Sequence, residues 1–320
     1  MSGSTTTTTT AAANSRWSDK SFVLKEVARD GWSLEKASDE LKADRDVVSA
    51  AVRSTGYALG YASPTLVAAD RGLVLEAVKS NGCALWFAPE PLWNDREIAM
   101  AAVTAPVCHA RPTGFTREVD EELLRTHSAL YCVSRNLRKD REIVLAAVRH
   151  HGRALQHADK TLRDDEEVAV SAIKSDGIAL RHASDRLRKD RSSDKALMLE
   201  AVGTCGSVLE LVAPDLKKDR DVVLAAVRND GTALRYASDG LRSDRGVAET
   251  AVASDGAALE FVSEDLRSDK DLIRTALSSS YLAWRFVPGP LRSDRTFFFR
   301  PRQAVPSTTT TTAESLPRCG

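Results

Sequence analysis

Several things are scarce in this chain of 320 residues, and each scarcity closes off a class of protein. Aromatic residues make up only 6% against 42% hydrophobic residues in all, so small aliphatics, Ala and Val above all, must fill the core. Net charge is absent, with 45 Lys+Arg against 45 Asp+Glu, so no global field draws the protein to nucleic acid or to an acidic membrane. No apolar run approaches the roughly 18 residues that a membrane span needs. The N-terminus lacks the basic-then-apolar pattern of a secretory signal, and the expectation is a cytoplasmic or nuclear protein. The five cysteines, Cys83, Cys108, Cys132, Cys205 and Cys319, are odd in number and form no C-x-x-C. They fit free thiols in a reducing compartment better than a disulfide framework. There is no phosphate loop, no G-x-S-x-G, no H-E-x-x-H and no dinucleotide fingerprint. No titratable constellation of the kind catalysis requires is visible either. The expectation is a protein that is not an enzyme and uses no cofactor and no metal.

What the chain does have is one motif, repeated. Asp219 to Asp244 reads DRDVVLAAVRNDGTALRYASDGLRSD. Asp219 suits a helix N-cap, its carboxylate accepting from a free N–H of the first turn, and Asp221 adds negative charge near the positive end of the dipole. Val223, Ala226 and Val227 then mark one apolar helix face. Gly231 stops that helix, and the expected mechanism is a left-handed C′ position that glycine adopts without a Cβ penalty. Ala233, Leu234, Ala237 and Leu241 restart a helical spacing, interrupted at Ser238. Other copies carry Pro89 and Pro288 where Ser238 stands, and Pro64 and Pro214 one place later, so the second helix should break near Ala237. Each unit is thus a longer helix, a glycine turn, a short helix and a final helical turn that suits a 3-10 geometry.

The turn position falls at Gly31, Gly56, Gly82, His127, Gly152, Gly177, Gly206, Gly231, Gly256 and Tyr281, with steps by subtraction of 25, 26, 45, 25, 25, 29, 25, 25 and 25. Ten residues after every one of these stands a leucine, from Leu41 to Leu291. Such self-similarity marks a solenoid, here all-α with about ten units of about 25 residues. Two irregularities stand out. The step of 45 is expected to hold a half copy and loop at 96–116, with a first helix at Arg96–Val103 ended by Pro106, a loop at Cys108–Gly114, and a new first helix near Thr116. That joint is expected to be the weakest in the array. The step of 29 adds four residues around Ser192 to Ala196. Residues 1–16 and 301–320 are rich in Ser and Thr and are expected to be disordered tails, leaving 17–300 as the repeat array. Phe297, Phe298 and Phe299 suit a cap over its open end.

The pattern AV-x-x-(D/N)-G-x-AL-x-x-AS-x-x-L-(R/K)-x-D-(R/K), seen at Val223 to Asp244, Val144 to Asp165 and Ala248 to Asp269, resembles a known repeat. It is similar to the family catalogued as domain of unknown function number 4116, whose repeats occur mainly in algae, other protists and large viruses. The resemblance covers about Trp17 to Arg295 and implies tandem helical repeats. It implies no activity, because the family has none assigned. His127 and Tyr281 in place of glycine, and Trp284 in place of leucine, depart from the pattern.

Candidate contact residues come from columns, positions that recur at the same place in each unit. Arg138, Arg163, Arg188, Lys217, Arg242, Arg267 and Arg292 form a basic column beside the leucines. A second runs through Arg141, Arg191, Arg220, Arg245, Lys270 and Arg295. Between them lie Asp140, Asp165, Asp190, Asp219, Asp244, Asp269 and Asp294. The first reading is a self-neutralising ladder of caps and ion pairs; the functional alternative is a ribbon that contacts phosphates or acidic peptide. Cys132, His157 and His182 share one column five after the turn, where zinc would find ligands. The column's other occupants, among them Tyr61, Phe87, Tyr236 and Phe261, point to half-buried packing instead. The functional expectation is a non-catalytic scaffold that binds another protein. RNA binding through the Arg/Lys columns is the alternative; membrane is not expected, and the oligomeric state is open.

Overall fold

The structure, a computed structural model, describes residues 16–106 and 128–293. The expected tails, the loop at Cys108–Gly114, the helix near Thr116, the turn at His127 and the phenylalanine cap at Phe297–Phe299 lie outside the described residues. The chain divides into two compact units, Met1–Ser175 with His182–Ser184, and Asp176–Arg181 with Asp185–Gly320. Each is an all-α stack of the repeat, and no strand occurs among the described residues.

The repeat that begins at Asp219 shows how the motif folds. Asp219 accepts from the backbone N–H groups of Asp221 and Val222 and caps the ten-residue helix Arg220–Asn229. Aspartates at 19, 44, 70, 95, 140, 165, 194, 244 and 269 cap the other long helices in the same way. Val222, Val223, Ala226 and Val227 are fully buried on one face. The chain then passes through Asp230, which is extended (φ −142°, ψ 104°), into the 3-10 helix Gly231–Tyr236. That helix ends at Ala237, where the break was expected, and a single α turn, Asp239–Arg242, closes the repeat. The short helix is therefore 3-10 and starts on the glycine itself. The final turn, expected as 3-10, is α in most repeats and 3-10 only at Glu90–Asn94, Leu137–Lys139 and Leu216–Lys218. A 3-10 helix repeats every three residues, and Gly231, Leu234 and Ala237 are spaced by three and all buried. Leu241, ten after the turn, is only half-buried, as are most of its equivalents; Leu41, Leu162 and Leu187 are buried.

The expected left-handed glycine is corrected by the backbone: none of the turn glycines described here has a positive φ. Their constraint comes from the next repeat. A Cβ on Gly31, Gly56 or Gly206 would lie 2.5 Å from the carbonyl oxygen of Ala51, Ala77 or Ala226 on the following long helix. Gly82, Gly177, Gly231 and Gly256 meet Ala102, Ala201, Ala251 and Ala276 likewise. Tyr281 escapes the rule because no long helix follows it among the described residues, and it is 84% exposed.

The helix Arg96–Thr104 is not a half copy standing alone. Arg96 pairs with Asp140 and Glu142, as Arg71 pairs with Asp95 and Glu97 one repeat earlier. The Ser134 N–H donates to Trp93 O at 3.0 Å, the same link as Ser63 N–H to Lys42 O at 2.8 Å. A Cβ on Gly82 would meet both Ala102 of the helix and Ala129 of the 3-10 turn Ala129–Tyr131. Residues 96–106 and 128–139 are thus the two halves of one repeat, and the extra 20 residues of the 45-residue step are inserted between them. Periodicity could not distinguish these because Thr116 to Ser134 itself resembles a first half. The extra four residues near Ser192 are absorbed by lengthening the last turn to Asp185–Arg191. Asp194 and Lys195, not Asp190 and Arg191, therefore hold the cap and the following basic position.

Two outcomes are expected. Gly231→Ala and Gly231→Asn should destabilise alike, by about 1–3 kcal/mol, through forced overpacking; denaturant melts in which asparagine is tolerated and alanine is not would restore the left-handed reading. A protease cut between Ala105 and Arg117 should leave one particle, since both halves of the cut repeat stay in the stack; fragments that separate on native gel filtration would show that they do not.

Candidate interaction surface

The cation that opens each long helix reaches the capping aspartate of the next repeat. In the first unit these pairs are Lys20–Asp44 at 2.6 Å, Arg45–Asp70 and Arg71–Asp95 at 2.7 Å, Arg96–Asp140 at 3.0 Å and Arg141–Asp165 at 2.9 Å. In the second unit they are Lys195–Asp219 at 2.6 Å, Arg220–Asp244 at 3.5 Å and Arg245–Asp269 at 3.0 Å. Several cations also clamp the acid two residues past the cap, as Arg141 does Glu167 at 2.5 Å. Position 166 carries glutamate where the other repeats carry Lys or Arg. The Arg71 guanidinium holds Asp95, that of Arg141 holds Asp165, and the Lys195 ammonium holds Asp219 below the ordinary carboxylate value, with first-turn N–H groups assisting.

The other basic column turns back on its own repeat. Arg138 Nε donates to Val133 O at 2.7 Å, Arg292 Nε to Val287 O at 2.6 Å, and Arg267 to Glu260 O and Val262 O at 2.9 Å each. Lys217 donates to Glu210 O at 2.7 Å and Arg188 to Arg181 O at 3.3 Å. Arg188 and Arg242 also pair with Asp185 and Asp239. Arg163 is half-buried, with Nε buried and without a hydrogen-bond partner. Arg138, Arg188, Lys217, Arg267 and Arg292 thus cap carbonyls that the end of the 3-10 helix leaves free. Trp93 occupies the same column, and its indole Nε1 donates to Leu85 O and Ala88 O at 3.1 and 3.0 Å. Tryptophan in place of arginine keeps the cap and drops the charge.

The surface that sequence reasoning missed is the outer edge of the 3-10 helices. Positions one and four after the turn eclipse there, and they vary where positions three and six do not. In the first unit this edge is aromatic. Trp32 stacks near Tyr57 (centroids 6.0 Å, planes 24° apart) and meets Tyr61 edge-on at 6.4 Å. Tyr57 meets Phe87 edge-on at 6.1 Å. Trp86 lies between Trp93 and Tyr131, at 6.3 and 6.1 Å with planes within 20°. His157 meets Tyr131 edge-on at 5.2 Å, and the Arg138 guanidinium lies 5.9 Å from the same ring. Glycine stands at position 60 because the Phe87 ring covers it, 3.0 Å from where a Cβ would be. The available signal was variability within a column, W, Y and G beside near-uniform Leu and small Ala or Val, rather than uniformity along one.

The column five after the turn is half-buried at Tyr61, Phe87, His157, His182, Leu211, Tyr236, Phe261 and Phe286, while Cys132 is buried and Lys36 exposed. Burial pushes the Cys83 thiol up to about 11, so it is inert as a nucleophile at neutral pH. Cys83, Cys132 and Cys205 are free thiols. Among the described residues, no group of three or more His, Cys, Asp and Glu is placed to hold a metal ion, and no helix is long and apolar enough to cross a membrane.

A tandem helical repeat whose glycines contact the next unit and whose charges pair between neighbours is a repeat-array protein. The family model described as Domain of unknown function (DUF4116) matches five times, at residues 19–67, 70–105, 121–163, 194–242 and 244–298. The chain belongs to that family. No curated protein and no solved structure matches it significantly.

The ladder makes a pH prediction. Asp95, Asp165 and Asp219 are held below the unfolded value of 3.8, so their contribution is fully present above that value. It is lost as pH falls from there through the lower folded values. Thermal melts should be flat in this contribution from neutral pH to about 5 and fall progressively below about 4. Asp219→Asn should lessen that slope; an unchanged acid profile in the variant would remove Asp219 from the account.

Proposed function

We propose that the protein is a non-catalytic helical-repeat scaffold that binds another protein, and that it docks through the aromatic edge of its first unit. One observation carries this reading. Seven aromatic residues, Trp32, Tyr57, Tyr61, Trp86, Phe87, Trp93 and Tyr131, share one edge of a chain that is only 6% aromatic. Tyr61 and Phe87 stand in the column that Tyr236, Phe261 and Phe286 fill in the second unit, and Tyr57 is buried, but Trp32, Trp86, Trp93 and Tyr131 are half-buried at positions where the second unit has no aromatic residue. Trp and Tyr are enriched at protein interfaces, where they supply large rigid area at low entropic cost, with Arg beside them.

Binding of RNA through the Arg/Lys columns receives less support. Those cations are engaged with capping aspartates and backbone carbonyls. Single-stranded nucleic acid is held by open ring faces and a continuous basic groove, whereas Trp86 has a neighbouring ring on each side.

The test uses the full chain as bait in extract from its native cell. Trp32→Ala with Trp86→Ala should abolish capture of the specific partner, as expected for hot-spot residues worth about 2 kcal/mol or more each. Lys189→Ala, at an exposed position elsewhere, should retain it. Capture that survives the tryptophan pair, in protein shown by circular dichroism to be folded, sinks the proposal. RNA binding with an affinity that falls steeply with salt would favour the alternative.

A further inference from the structure

The same edge changes character in the second unit. Four residues after the turn stand Arg181, Glu210, Arg235, Glu260 and Arg285, all exposed, with the sign alternating from repeat to repeat. Beside them runs a half-buried apolar row, Leu211, Tyr236, Phe261 and Phe286. An apolar seam flanked by alternating charges is how helical surfaces select one another in register.

An alternating column has a particular symmetry. It is antisymmetric about the midpoint between any two neighbours, so a two-fold axis there sets cation opposite anion wherever the two copies of the column overlap. With the axis between Glu210 and Arg235, Glu210 faces Arg235 of the second copy and Arg181 faces its Glu260, and each pair occurs twice. Parallel copies in register would set like on like. The charge order therefore suits an isologous, antiparallel contact.

We infer that the second unit pairs antiparallel with a second copy of this chain along this edge, about an axis between Glu210 and Arg235. The side chains are already positioned for it. The Arg235 guanidinium lies over the rings of Tyr236 and Phe261, at 5.2 and 5.4 Å, so little of its freedom remains to be lost on binding. Glu210 is paired with Arg181 of its own chain, which sets its carboxylate on the same edge. Beside Glu260 a cleft of about 260 Å³ separates two final turns. Its Arg267 is turned to the carbonyls of Glu260 and Val262 and its Arg242 to Asp239. Its three carboxylates, Asp239, Glu260 and Glu264, outnumber its two guanidiniums by one, and a guanidinium from the second copy fits that sign. Exposed pairs contribute little affinity singly; here they fix register while the apolar row supplies contact area.

The experiment is sedimentation of the full chain over a concentration series, with circular dichroism as the control for folding. The wild-type chain should dimerise. Glu210→Arg and Arg235→Glu should each weaken the dimer by about tenfold or more, since like charges then face one another. Combining the two restores the opposition about the inferred axis and should restore the dimer. A wild-type chain that stays monomeric throughout overturns the inference, and so does a double variant that remains monomeric while the wild type dimerises. Should a variant not fold, the wild-type dimer must still weaken as salt rises; a dimer indifferent to salt is held by some other surface.

Discussion

The contact on which these stacks depend is the approach of a glycine to a carbonyl. At Gly31, Gly56, Gly177, Gly206, Gly231 and Gly256, the glycine that opens the 3-10 helix lies against the alanine of the next long helix whose carbonyl accepts the helix-closing N–H, as Ala251 O accepts from Asp255. The gap leaves no room for a methyl group. The spacing and register of neighbouring repeats follow from it. So does the reach of the opening cation to the next capping aspartate, 24 or 25 residues on in every regular step. Interiors packed at crystal-like density cannot absorb one added methyl group at such a point. Each of these junctions imposes the same condition, which is why the glycine recurs.

Much of this was legible beforehand, and what was not has a physical cause. Capping aspartates and the Val-Ala-Val face are local signals, set by a side chain acting within its own helix, and the residue pattern displays them directly. The glycine was placed correctly for the wrong reason, because its constraint belongs to a neighbour some 20 residues away in sequence. The 3-10 helix was there to be seen: Gly231, Leu234 and Ala237 recur every three residues, a period an α-helix does not share. The insertion after Pro106 was harder. Residues 116–134 mimic the start of a repeat, and the pairing of Arg96 with Asp140 and the Ser134 N–H to Trp93 O bond show which halves belong together.

The basic columns teach the same lesson from the side of function. Arg138, Lys217, Arg267 and Arg292 recur because every repeat ends a 3-10 helix whose carbonyls need a donor. Trp93 shows that the donor matters more than the charge, since an indole N–H serves at the same place. Uniformity along an array therefore reports what stacking requires. A position that stacking leaves alone is the one that can take on a partner-specific identity, and such a position varies.

The 3-10 segment is what separates the two kinds of position. Its period of three directs the turn glycine, the leucine three later and the alanine or valine six later inward. Among the described residues position four reaches the surface in every repeat except at Gly60, and position one in most, Tyr57, Cys83 and Ser128 being buried. The first unit fills that edge with Trp32, Tyr57, Trp86 and Tyr131, and the second with alternating Arg and Glu, while the long helices beneath keep the same Val, Ala and Asp pattern. Two surfaces of different chemistry can thus be written on one scaffold without altering a residue that holds the scaffold together. Tyr281, which replaces the glycine in the last described repeat, has no carbonyl of a described helix in front of it and is exposed.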